Sequence, residues 1–292
     1  MVAIAVVAAL AVGFGTGALL FRASAGDEPA GEATPSADHA EHENADALAG
    51  LSLSAEGYTL SPISAPTQVG EDAVLSFAII DPDGETLRKY ETSHDRELHV
   101  MIVRSDGQHF RHVHPTLDPD TGVWSLPWTW DAAGSYRLFA DATPAVAGAE
   151  PFTLARAIEV SGTYEPVPVA LSRTAQIDGY TVSIAGDLTA GATSELVATV
   201  TREGAPVTTL EPYLGAFGHL VALREGDQAY LHVHAEGEEA VEGQNAGPDI
   251  VFSANAPTAG LYQLYLDIQI DGVVHTAAFV LDAAPGETLS GH

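Results

Sequence analysis

His99-Val-Met-Ile-Val-Arg104-Ser-Asp106-Gly107-Gln-His-Phe-Arg-His112-Val-His114 reads as a β-hairpin carrying three histidines. Two apolar runs flank Asp106-Gly107, a strong two-residue turn signal, because both central positions of a tight hairpin turn favour such residues. With that pair at the centre, Ser105 faces Gln108, Met101 faces His112 and His99 faces His114. Opposed residues share a sheet face, and so do residues two apart on one strand. The register therefore turns His99, His112 and His114 to one face, with opposed Cβ atoms about 4.5–5.5 Å apart. A slip of one residue would undo the convergence.

The chain contains this hairpin twice. His219-Leu-Val-Ala-Leu-Arg224 aligns without gaps to His99–Arg104, and both copies carry the spacing H-x12-H-x-H. A Gly226-Asp227 turn predicts Val221 opposite His232 and His219 opposite His234, a second triad. The repeat extends outward. Tyr58-Thr-Leu60 matches Tyr180-Thr-Val182, and Gly134-Ser-Tyr136-Arg-Leu138 matches Gly260-Leu-Tyr262-Gln-Leu264. Asp141 and Asp267 each stand seven residues after the glycine. Short apolar alternations with turn signals every about 8–12 residues predict all-β sandwiches. The expected domains are 51–162 and 174–284, joined by 163–173 with its stiff Tyr164-Glu-Pro166-Val-Pro168; 285–292 is a tail.

At 292 residues the chain can bury two cores. Its 40 acidic residues against 11 basic ones give a net charge of −29, which repels nucleic acid and gathers cations. The same acidity would also keep an exported protein soluble. Absence of cysteine excludes disulfides, a lipoprotein anchor, thiolate metal sites and cysteine nucleophiles.

Met1–Phe21 is uncharged, almost wholly apolar and long enough to span a bilayer. Residues 1–22 are expected to be a transmembrane signal-anchor, or a signal peptide cut near Ala25. The missing basic n-region points to a start codon assigned too late. Either way the folded part is expected outside the cytoplasm, at the cell membrane or secreted. Residues 23–50 read as a disordered acidic tether. His39 and His42 lie there, as a weak metal tract or simply as solvated linker.

Three imidazoles on a rigid hairpin suit Cu(II) or Zn(II) and could hold Ni(II), while a blue-copper centre is excluded for want of a thiolate. The candidate ligands are His99, His112 and His114 in one copy and His219, His232 and His234 in the other. Met101 could add a thioether to the first site, although its counterpart is Val221. His94 and His109 occur in the first copy alone and would either enlarge its site or lie on the surface. Asp141 and Asp267 are candidate outer partners or fourth ligands, or else turn formers. Because imidazole must be neutral to ligate, metal affinity is expected to fall with pH through about 6.5. The plainer alternative is that these histidines only hydrogen-bond carbonyls.

Pro212-Tyr-Leu-Gly-Ala-Phe-Gly-His219-Leu-Val-Ala-Leu-Arg224, Tyr230-Leu-His-Val-His234 and Glu97-Leu-His99 with His112-Val-His114-Pro115 resemble a family of uncharacterised exported bacterial proteins. That family is similar in outline to YtkA-like and other copper-handling sandwich domains. The resemblance implies export, tandem immunoglobulin-like or cupredoxin-like β-sandwiches, and a heavy-metal link. Ala235 departs from the pattern where the first copy has Pro115. The function expected is extracytoplasmic binding of copper, or alternatively zinc. A cell-surface immunoglobulin-like adhesion module with structural histidines is the competing reading. No general base or nucleophile motif stands out, so an enzyme is not expected.

Overall fold

Val100–Val103 and Leu220–Leu223 are unbroken apolar runs, where a strand with one wet face would alternate. The computed structural model shows why: both faces of each run are covered. It describes residues 49–286 apart from His232 and Glu238, with the backbone alone of His234. The expected membrane span and the tether histidines His39 and His42 lie outside the described residues. Among the described residues every regular element is a β-strand.

The first repeat comprises β1 (Ser54–Ala55), β2 (Tyr58–Leu60), β3 (Ala73–Ile80), β4 (His99–Arg104), β5 (Arg111–Val113), β6 (Thr116–Asp118), β7 (Val123–Trp128), β8 (Gly134–Ala142) and β9 (Phe152–Val160). One sheet runs β1-β2-β3-β7-β6 and the other β5-β4-β8-β9. Between them lie Leu75, Phe77, Trp124, Trp128, Trp130, Val100, Ile102 and Leu138, all buried.

The second repeat comprises β10 (Thr174–Ile177), β11 (Tyr180–Ala185), β12 (Leu188–Thr189), β13 (Thr193–Arg202), β14 (Ala205–Pro206), β15 (His219–Arg224), β16 (Tyr230–Leu231), β17 (Val233–Ala235), β18 (Asp249–Asn255), β19 (Gly260–Ile270) and β20 (Val273–Ala284). Its sheets run β10-β11-β13-β18-β17, with β14 on β13, and β12-β20-β19-β15-β16. Leu220, Ala222, Phe252, Tyr262 and Phe279 fill this core.

Each repeat closes with the same device. The Tyr136 hydroxyl donates to Ala132 O and that of Tyr262 to Thr258 O, both at 2.9 Å and four residues upstream. This is the tyrosine corner of immunoglobulin-like sandwiches, and it explains the Gly-x-Tyr repeat read in the sequence.

A third apolar cluster lies between the repeats, which belong to one compact unit spanning Asp46–His292. Met101, Val103, Phe139 and Ala155 meet Val221, Leu223 and Tyr265, each at most 6% exposed. Strand alternation sends these residues outward while Val100, Ile102, Leu220 and Ala222 face their own cores. The contacts are reciprocal. Phe110 stacks on Tyr265 at 4.0 Å between centroids, and the equivalent Tyr230 lies 6.2 Å from Phe139, the equivalent of Tyr265. Such a pattern is that of a two-fold dimer interface realised within one chain. Asp106 holds the linker to it, pairing with Arg104 at 2.8 Å and accepting from Val167 N–H at 2.9 Å.

Candidate metal centre

The first hairpin reaches the expected register by an unexpected route. Gly107 N–H donates to Arg104 O at 2.8 Å, so Ser105 and Asp106, and not Asp106 and Gly107, are the central pair. Arg104 N–H then donates to Gln108 O at 3.0 Å, which removes the expected pairing of Ser105 with Gln108. Gly107 (φ 77°) and His109 (φ 56°) are each an extra residue on the returning strand. Together they restore Met101 opposite His112 and Ile102 opposite Arg111. His109 is taken up by this bulge, its ring 6.5 Å from that of Tyr136 and away from the other histidines.

His99, His112 and His114 converge, with one ring nitrogen from each lying within 4.8 Å of the other two. His99 Nδ1 is 3.2 Å from both His112 Nε2 and His114 Nε2. The outer nitrogens of two rings are committed. His99 Nε2 lies 3.0 Å from Ser93 O, and His112 Nδ1 lies 2.9 Å from Asp267 Oδ2. A carbonyl and a carboxylate only accept, so those outer nitrogens carry the protons. In neutral rings His99 Nδ1 and His112 Nε2 then present lone pairs to each other, a repulsive contact unless a cation lies between them. A shared proton would relieve one pair; a metal ion would serve all three rings.

The site is largely dry. The side chains of His112 and Asp267 are each only 3% exposed. Burial lowers the His99 imidazole to about 4, with the Ser93 carbonyl opposing and His112 reinforcing the shift. Burial, then the charge of nearby His112, brings His114 and His219 to about 3. Rings held this way are in their ligating form well below neutrality. At His99 and His114 proton competition therefore moves down from the expected 6.5.

The second hairpin begins as expected, with Leu223 opposite Tyr230 and Ala222 opposite Leu231. Beyond Leu231 the chain leaves this sheet. Strand β17 pairs with β18 in the opposite sheet, placing His234 opposite Ser253 and not opposite His219. Val233 packs against the second core there, as Val113 does against the first, but the pairing with the first hairpin strand ends at Leu231, two positions sooner than at Val113. His232 lies outside the described residues, as does the side chain of His234.

His219 stands next to the first triad. Its ring centroid is 5.9 Å from that of His99, 5.8 Å from His112 and 4.9 Å from His94. His94, at φ 50° in the tight Ser93–Arg96 turn, stands at the rim. The two candidate carboxylates divide. Asp141 is paired in the ladder with His99, yet its carboxylate accepts from Thr153 Oγ1 at 3.1 Å, and burial raises it to about 6. Asp267, expected to serve its own repeat, reaches across to His112. Met101 is 1% exposed and packs in the cluster between the repeats.

Sequence reasoning missed that the site spans both repeats. The available signal was the apolar run behind each first histidine, which left no wet face on either strand.

Residues 53–160 and 175–285 each match the family described as Domain of unknown function (DUF8832). The chain belongs to the DUF8832 family. No curated protein matches this DUF8832 chain in sequence. Among solved structures, it is similar to Salmonella alpha-2-macroglobulin reacted with methylamine, at 15% identity and TM-score 0.25 over 82% of this chain. The match spans only 15% of that protein's length. The D0-D1 domain of Intimin aligns at 11% identity and TM-score 0.23, covering 78% of the DUF8832 chain and 97% of its own. The Clostridium thermocellum CbhA fibronectin(III)-like modules align at 11% identity and TM-score 0.20, covering 80% and 100%.

Proposed function

We propose that this chain binds a transition-metal ion outside the cytoplasm, copper by preference and zinc otherwise, through His99, His112 and His114. One observation carries the reading: two ring nitrogens, each with its partner nitrogen committed to an acceptor, face each other across 3.2 Å with a third imidazole alongside. Ligand nitrogens about 2.0–2.1 Å from a tetrahedral ion lie about 3.3–3.4 Å apart, so little movement would be needed. A carboxylate behind a ligating histidine fixes the tautomer and raises its basicity, which is the role Asp267 would take. The net charge of −29 favours cation capture. The resemblance to copper-handling sandwich domains agrees with copper, and the apolar N-terminal segment with residence at the membrane or beyond it. The role is one of binding and delivery, not of catalysis.

The test is a Cu(II) titration of the chain bearing His39→Ala and His42→Ala, read by electron paramagnetic resonance. The expected result is saturable binding with imidazole nitrogen hyperfine structure, lost in His112→Ala and His114→Ala. Failure to bind either copper or zinc would sink the reading and leave the immunoglobulin-like interaction module in its place.

A further inference from the structure

We infer that His219, from the second repeat, is the fourth ligand of the ion held by His99, His112 and His114, so that one metal ion staples the two repeats together. The inference rests on the metal-binding reading of the triad and adds to it the ligand count, the stoichiometry and the mechanical consequence.

His219 Nε2 is buried and has no hydrogen-bond partner among the described residues. A buried polar atom left unpaired costs about 1–3 kcal/mol and calls for an explanation. The position of the ring supplies one. The triad rings lie 4.9, 5.0 and 5.4 Å apart between centroids. Imidazoles sharing one tetrahedral ion at about 2.0–2.1 Å have centroids about 5–5.5 Å apart. His219 lies 5.8 and 5.9 Å from His112 and His99, so its ring has about half an ångström to move inward before its nitrogen joins the three that lie within 4.8 Å of one another.

The second repeat is already committed to the site. Asp267, opposite His219 in the β15–β19 ladder, holds His112 of the first repeat at 2.9 Å. His99 and His219 are equivalent residues at the same end of a reciprocal interface, so the packing that seats Met101 against Val221 also brings these rings together. The His219 end of the site opens to solvent. A cleft of about 540 Å³ is lined by His94, His219, Glu236 and Glu239, and its acidic rim suits a cation.

The chain bearing His39→Ala and His42→Ala is titrated with Cu(II), and bound nitrogens are counted by pulsed electron paramagnetic resonance. One ion per chain with four imidazole nitrogens is expected. His219→Ala should leave three nitrogens, lower affinity at least about tenfold, and abolish the rise in unfolding temperature that copper gives the parent chain. The count on the parent chain needs no folded variant and stands if His219→Ala fails to fold. Three nitrogens in the parent, or two independent ions per chain, would overturn the staple while leaving metal binding by the triad intact. Unchanged affinity in a folded His219→Ala chain would do the same. No bound copper at all would remove the triad reading itself.

Discussion

The two histidine hairpins begin from the same spacing and end in different places. In the first, β5 stays beside β4 through Val113, and His112 together with His114, just past the end of β5, converges on His99. In the second, β16 ends at Leu231 and β17 crosses to β18, which parts His234 from His219 in the ladder. The difference teaches that a duplicated spacing need not give a duplicated strand pairing. The first copy gathers its three histidines, and His219 and Asp267 of the second copy stand beside them.

The comparison breaks most severely if the interface between the repeats is removed. Phe139 sits there fully buried, as Phe279 does in the second core. Phe139→Ala should cost about 3–5 kcal/mol in urea unfolding, as much as Phe279→Ala. A cost below about 1 kcal/mol would mean that the repeats fold independently and touch only weakly.

Acid acts next. His99, His114 and His219 have folded-state values of about 4, 3 and 3, below the 6.5 of an exposed imidazole. Between these limits the unfolded chain binds more protons, so stability without metal should be complete above pH 6.5 and fall as pH drops toward 4. Thermal melts from pH 7.5 to 4.5 check this, and His99→Ala should flatten the slope. A slope of opposite sign would show the rings charged in the folded state.

The carboxylates sharpen the asymmetry. Asp267→Asn removes the negative charge behind His112 and should weaken copper binding about 10–100-fold. Asp141 accepts from Thr153, and Asp141→Asn should leave affinity within a factor of about three, since no ring of the triad hydrogen-bonds to it. Equal losses in the two variants would mean that the cluster is shared more evenly than the contacts indicate.

The smallest effect belongs to Met101. As a packing residue it should tolerate Met101→Leu at under about 1.5 kcal/mol, with unchanged copper affinity. A selective loss of Cu(I) binding would restore the thioether as a ligand.

Much of this was legible because it is local. Strand alternation has a period of two, so the spacing of His99, His112 and His114 determines a shared face once the register is set. The turn was read one residue off, and His109 compensated for it, since its positive φ adds the second bulge that restores Met101 opposite His112. The Gly-x-Tyr repeat likewise announced the corner at Tyr136 and Tyr262. The crossing at Val233 was not legible, because it depends on the edge that β18 offers from residues far along the chain.

The sequence by itself determined two β-sandwich repeats and a convergent triad in the first, since hydrophobic period and duplication are written in residue order. Only the tertiary structure decided that His219 and Asp267 of the second repeat stand beside that triad. Which outer face meets which is settled by burial of Met101, Phe139, Val221 and Tyr265 against one another, a packing between surfaces that no local spacing encodes.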